Sequence, residues 1–162
     1  MVNIRIVEIP KMKAANSGLL TDGDTFSRFN NWFSKLHASL KHEIFPRDFM
    51  WYNEKKGVQE WFYALPYDCN ENQVDGFEIV DLPAGLFAVA SCLDADIDKA
   101  ADWLNTRQAI IDWVTQSDRF CLYENADGKP ERYPMFHITS PGYMIPDGIS
   151  IENLYVPILL KE

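Results

Sequence analysis

Cysteine is scarce in this chain of 162 residues. There are three, Cys69, Cys92 and Cys121, far apart from one another and at no short spacing from a histidine. That pattern fits neither a disulfide framework nor a zinc site, so all three are expected to be reduced thiols, used as small buried residues. Basic residues are also in deficit, with 15 Lys and Arg against 24 Asp and Glu and a formal charge of −9. An acidic surface without a basic block is repelled by phosphate backbones and anionic lipid headgroups. Nonspecific nucleic-acid binding is thereby excluded, and cationic ligands or a basic protein partner are favoured. Long hydrophobic runs are missing: no window approaches the roughly 18 uncharged apolar residues of a membrane span. The start, Met1 to Glu8, alternates like a strand and lacks the apolar stretch of roughly 7–15 residues found in a signal peptide. A cytoplasmic, membrane-free protein is expected. Glycine-rich phosphate loops, Gly-x-Ser-x-Gly and His-Glu-x-x-His are absent as well, so nucleotide-binding, hydrolase and zincin templates find no support. No catalytic residue, metal ligand or cofactor is assigned.

What the chain does have is apolar material, 47% of residues with 14% aromatic, enough to bury a sizeable core. Two helical patterns stand out. Phe26, Phe29, Phe33, Leu36 and Leu40 recur at spacings of three and four behind the capping candidates Asp22, Asp24 and Thr25, which predicts a helix from about Asp24 to Glu43. Ile97, Ala100, Leu104, Ile111 and Val114, preceded by Asp94, Asp96 and Asp98, predict a second from about Asp96 to Gln116. Strand-like runs rich in β-branched and aromatic residues fall at 3–9, 11–17, 49–53, 58–66, 77–82, 86–93, 119–124, 132–139 and 150–160. The order β-β-α-β-β appears twice.

Residues support the repetition. Val7-Glu8-Ile9-Pro10 matches Val80-Asp81-Leu82-Pro83 at an offset of 73, and Trp32 has a helical counterpart in Trp113. Trp51-Tyr52-Asn53 is aligned with Leu122-Tyr123-Glu124, and Glu60-Trp61-Phe62-Tyr63 with Pro134-Met135-Phe136-His137, at offsets of 71 and 74. Such drift is what a duplicated unit with loop insertions produces. One domain over 1–162 is expected, with repeat halves at about 1–67 and 77–162, a polar connector near Tyr67 to Gly76, and a cleft between the halves.

The second half, with Phe77-Glu78-Ile79-Val80-Asp81-Leu82-Pro83-Ala84-Gly85-Leu86-Phe87, Pro134 to Thr139 and the terminal run Ile151 to Ile158, resembles the GyrI-like small-molecule-binding domain. This module is also the effector-binding domain of AraC-type and MerR-type regulators. The resemblance spans essentially the whole chain. It implies an α+β fold in which a curved antiparallel sheet wraps a central groove and two helices pack on one face. It further implies an aromatic-lined cleft for lipophilic, often cationic compounds, with an acid facing the ligand. At the two family acid positions this sequence has His137 and Asn153.

Strand alternation and the repeat together place a candidate ligand surface on Trp51, Gln59, Trp61, Tyr63, Tyr123, Tyr133, Met135, His137 and Tyr155. Rings and a thioether of this kind stack flat ligands and hold cations on their faces. Phe26, Phe29, Phe33 and Phe87 are expected in the core, as are Trp32 and Trp113, while His37 and His42 are expected in solvent. The leading functional reading is a small-molecule binding protein for hydrophobic and aromatic compounds, with cationic ones left open, as a monomer or homodimer. The repeated unit leaves no stretch for a helix-turn-helix. Two alternatives stay open: an inhibitor acting by protein interaction, like GyrI-type topoisomerase modulators, and a hydrolase of reactive lipophilic compounds. Enzyme activity is the less favoured.

Overall fold

The computed structural model describes residues 2–40, 47–95, 99–138 and 149–162. Nine strands and two α-helices follow in the order β1 (Arg5–Ile9), β2 (Met12–Leu19), α1 (Gly23–Ser39), β3 (Asp48–Asn53), β4 (Val58–Ala64), β5 (Glu78–Leu82), β6 (Gly85–Ala95), α2 (Lys99–Gln116), β7 (Phe120–Leu122), β8 (Met135–Ile138) and β9 (Ile149–Leu160). The class is α+β, and the described strand pairings within each unit are antiparallel. Two compact units divide the chain: Lys11–Leu82, and Met1–Pro10 together with Pro83–Glu162. Each therefore contains the first strand of the opposite sequence half.

In the unit Lys11–Leu82 the strand order is β3-β4-β2-β5. Helix α1 starts where Asp22, in extended conformation, accepts the Thr25 backbone N–H at 2.7 Å. Phe29, Trp32 and Phe33 then share one face and bury themselves against Ala15, Trp61 and Tyr63 of the sheet. A bulge at Gly18 (φ 76°) interrupts β2, shifting its register against β4 between Asn16 and Leu19. Gly57 (φ 66°) closes the β3–β4 turn, its N–H donating to the Asn53 carbonyl at 2.8 Å.

The second unit has the order β8-β9-β6-β1, with β7 also pairing with β9. Helix α2 covers Ala88, Ala90 and Cys92 of β6 and Leu154, Val156 and Ile158 of β9. It does so through Ile110 and Val114, beside the buried Thr106. This rotates the stripe expected from the sequence. Ile110 rather than Ile111 takes the fully buried position, and Leu104 is 55% exposed, because neighbouring residues on a helix point about 100° apart and only one can face the sheet. Trp113, expected in the core, is 39% exposed and stacks on Phe120; Phe26, also expected there, is exposed and lies over Trp61 at 4.6 Å. His37 is half-buried rather than solvated, and His42 lies outside the described residues. The three cysteines are free, Cys92 buried and the other two half-buried.

The strand registers give the repeat its true alignment. A shift of 73 carries the ladder Met12↔Leu82 through Asn16↔Glu78 onto Gly85↔Ile9 through Val89↔Arg5. The offset read from the Val-acid-aliphatic-Pro match thus holds. The other two alignments are corrected. The β2/β4 pairs Ala14↔Ala64, Ala15↔Tyr63 and Asn16↔Phe62 correspond to the β6/β9 pairs Phe87↔Pro157, Ala88↔Val156 and Val89↔Tyr155, so β4 matches β9 at 93. Likewise Phe49↔Phe62 and Trp51↔Glu60 correspond to Met135↔Tyr155 and His137↔Asn153, so β3 matches β8 at 86. Strand β7 has no partner in this scheme, which is why sequence offsets of 71 and 74 misalign the later elements.

Candidate functional site

Alternation along each strand divides its side chains between the helix side of the sheet and the opposite side. In Lys11–Leu82 the helix side holds Trp61 and Tyr63. Trp61 is 5% exposed, touches the rings of Phe26, Phe29 and Phe33 at 4.6–5.6 Å and donates its indole N–H to Asp48 at 3.0 Å. Tyr63 is fully buried and stacks on Phe33 at 5.5 Å. These two residues, placed by sequence on a common ligand surface with Trp51, are instead structural aromatics beneath α1. Gln59, two residues before Trp61 and in register with Tyr52, is exposed.

The side turned away from α1 carries Trp51, with two aromatics that sequence reasoning passed over. Phe62 contacts Trp51 at 4.8 Å and stacks on Phe49 at 5.5 Å and 12°. Beneath them pack Ala14 and Leu82, flanked by Met12 and Val80. Glu60, the register partner of Trp51, belongs to the same side and is 9% exposed. Asn53 orients it. The Asn53 amide oxygen accepts the Lys56 N–H at 3.2 Å within the β3–β4 turn, which turns the amide nitrogen toward Glu60 Oε2, also at 3.2 Å. Alternation counted outward from Trp51 and across the hairpin was the signal that would have found Phe49, Glu60 and Phe62.

In the other unit, the side turned away from α2 holds Met135 and Tyr155, which are register partners, with Phe87 edge-on to Tyr155 at 6.2 Å. Asn153 lies two residues before Tyr155 on the same side, and its amide oxygen accepts from Ser91 Oγ at 2.7 Å. His137 pairs with Asn153 in register, and its side chain lies outside the described residues. Tyr133 is buried just before β8. Tyr123 has a structural position: its hydroxyl donates to the Pro130 carbonyl at 2.6 Å and its ring lies 4.7 Å from the Arg132 guanidinium. Arg132 in turn donates to the Ala84 carbonyl and stands against Gly85, where a Cβ would come within 2.6 Å of its Nη1.

A further concavity, of about 610 Å³, lies where α1 meets the connector and is lined by Arg28, Asn31, Trp32, Lys35, Leu36, Gln73 and Asp75. Arg28 there donates to the Asp75 carbonyl at 2.8 Å and caps the Phe77 ring at 4.4 Å, so its charge is engaged in holding the connector. Among the described residues no three His, Cys, Asp or Glu side chains approach closely enough to hold a metal ion, and no helix is long and apolar enough to cross a membrane. Burial pushes the Cys69 thiol up from its ordinary range, and the neighbouring Asp68 adds to the shift, so it stays a thiol at neutral pH.

No protein-family model matches the sequence, and no curated protein does either. Solved structures do. A hydrolase from Listeria innocua aligns over 97% of this chain and 92% of its own, with a TM-score of 0.63 and 8% identity. The C-terminal domain of EcmrR aligns over 98% of both chains, at 0.60 and 10%. SAV2435, in a structure with bound tetraphenylphosphonium, aligns over 97% of this chain and 94% of its own, at 0.53 and 10%. At these identities the likeness is one of fold, shared with these three proteins over nearly the whole of each chain.

Proposed function

We propose that this chain binds small hydrophobic and aromatic organic molecules, cations among them, against the sheet sides turned away from α1 and α2. The observation that carries this reading is the composition of those sides. Each combines half-buried rings, set against a buried one, with one buried polar group: Phe49 and Trp51 on Phe62 with Glu60, and Tyr155 on Phe87, beside Met135, with Asn153. A closed hydrophobic core has no use for such polar groups, whereas a ligand surface uses apolar walls for affinity and a few polar atoms for orientation. The fold likeness to SAV2435 with its tetraphenylphosphonium supports the same class of ligand. Of the residues singled out from sequence, Trp51, Met135, His137 and Tyr155 are retained as the proposed ligand contacts, joined by Phe49, Glu60, Phe62 and Asn153.

A thermal-shift screen with lipophilic cations, neutral aromatics and organic acids tests the proposal, since a ligand at 100 times its Kd adds about 2.7 kcal/mol to the folded state. Stabilisation by several aromatic compounds, with quenching of Trp51 emission, is the expected result. No stabilisation by any of them refutes the reading and directs the search to a basic protein partner, for which the charge of −9 is suited.

A further inference from the structure

Apart from the sheet sides, a second place to hold a ligand lies where α1 meets the connector. Two side-chain donors bolt these segments together. Trp32 gives its indole N–H to the Gln73 carbonyl at 2.8 Å, and Arg28 gives an Nη2 hydrogen to the Asp75 carbonyl, also at 2.8 Å, while its guanidinium covers the Phe77 ring. Between the bolts opens the concavity of about 610 Å³, within the roughly 300–1,000 Å³ typical of small-molecule sites. Packing fixes its floor. Trp32 is buried against the rings of Phe29, Tyr63 and Phe77, and Leu36 follows it one helical turn later.

Donors and acceptors are out of balance in this concavity. The carbonyls of Gln73 and Asp75 are taken by Trp32 and Arg28. Gln73 Oε1 is taken as well, because it accepts the Asn70 backbone N–H at 2.9 Å in the capping box of the 3-10 turn Glu71–Gln73, which leaves Gln73 its amide hydrogens to offer. Lys35 adds an ammonium group and Arg28 the rest of its guanidinium hydrogens. Among the described residues neither cation has a carboxylate within ion-pair distance, and the Asp75 carboxylate in the lining has no cation. Two cations against one carboxylate leave the lining one net positive charge, on a chain whose total is −9. A guest that answers these donors carries acceptor oxygens and a single negative charge. A carboxylate or sulfonate does so, whereas a dianion meets Asp75 with charge to spare and an ammonium meets Arg28 and Lys35. The floor of Trp32 and Leu36 calls for an apolar body behind that head.

We propose that this concavity is a second ligand site, taking a singly charged organic anion whose carboxylate or sulfonate is held by Lys35 and Arg28 and whose apolar body lies on Trp32 and Leu36. The site lies wholly within the unit Lys11–Leu82 and uses none of the proposed contacts on the sheet sides. Three probes sharing one ring system test it: naphthalene-2-sulfonate, neutral naphthalene-2-sulfonamide and cationic 2-naphthylmethylammonium. Each is titrated into the wild-type protein, Lys35→Gln and Lys35→Arg, with the indole N–H resonances followed by nuclear magnetic resonance. Lys35 is exposed, so both variants should fold as the wild type does. The overall negative charge works against an anion, so a preference for the sulfonate over the sulfonamide reports the local cations. It is expected to be about fivefold in the wild type, to shrink to about twofold or less in Lys35→Gln, and to persist in Lys35→Arg. The Trp32 indole resonance, assigned through its own side-chain protons, should move with the sulfonate while that of Trp51 stays still, and saturating tetraphenylphosphonium should leave the sulfonate affinity unchanged. Equal affinities for sulfonate and sulfonamide, preference for the ammonium, a sulfonate preference undiminished in Lys35→Gln, or no binding by any probe overturns the proposal. So does movement of Trp51 in place of Trp32, or displacement of the sulfonate by tetraphenylphosphonium, either of which puts the anion on the sheet side and leaves the reading of that side standing.

Discussion

Replacing Trp51 and Trp61 by alanine, one at a time, pulls apart two properties that a single aromatic surface would keep together. Trp61 is 5% exposed, packs on three phenylalanine rings and donates to Asp48. Trp61→Ala therefore removes a large core side chain and should cost about 3–5 kcal/mol of folding stability. For a chain of this length each kcal/mol moves the midpoint by about 2–4 °C, so Tm should fall by about 6–20 °C. Trp51 is half-buried against the Phe62 ring, and Trp51→Ala should cost only about 1–2 kcal/mol of stability. Its effect on ligand is the reverse. Losing a stacking and cation-binding face removes about 0.5–2 kcal/mol, which weakens Kd for tetraphenylphosphonium by about 2–30-fold, while the folded fraction of Trp61→Ala should bind like wild type. Melting curves followed by circular dichroism and calorimetric titration at a temperature where both variants are folded measure the two effects. If Trp61→Ala weakens binding as much as Trp51→Ala while leaving Tm unchanged, the assignment of sheet sides is refuted.

Other outcomes follow from the same packing. Phe29→Ala, at a fully buried ring touching Trp32, Phe33, Trp61 and Phe77, should cost about 3–5 kcal/mol in urea denaturation, and exposed Phe26→Ala less than half of that; equal losses would contradict the packing of α1. Gly85→Ala should displace the Arg132 guanidinium from the Ala84 carbonyl and cost about 1–2 kcal/mol, and in an Arg132→Ala background the same change should cost close to nothing, a non-additivity read from a double-mutant cycle. Asp22 holds its carboxyl below the usual range chiefly through the Thr25 backbone N–H, so its charged form favours the folded state at neutral pH. That contribution is present above the unfolded pKa of about 3.9 and disappears as pH falls through the lower folded value. Asp22→Ala should thus melt below wild type at pH 7, with the gap closing in acid; a constant gap would mean that the cap does not act through its charge.

The repeat was legible early, because Val7 to Pro10 and Val80 to Pro83 are two strand ends with the same job, and the shift of 73 between them is the one that the ladders display. The capping aspartate and the three-and-four spacing of Phe29 and Phe33 likewise announced α1 where it stands. Later alignments failed for a physical reason. Strand β7 sits between α2 and β8 without a repeat counterpart, so residue-by-residue offsets slid onto β8 what belongs to β9.

Local chemistry alone determined which residues form strands and helices, which positions alternate together, and that the surface is acidic. It left open which side of each sheet is covered. Trp61, Phe62 and Tyr63 are consecutive and all buried, so the run carries no polar alternation by which to tell the two sides apart. Covering one side with α1 is a long-range event, set by Phe29, Trp32 and Phe33 meeting Ala15, Trp61 and Tyr63. Once that contact forms, Phe62, Trp51 and Glu60 necessarily take the opposite side, since a β-strand turns successive side chains to opposite sides. The residues were readable in one dimension, and their division into core and candidate site was decided by packing in three.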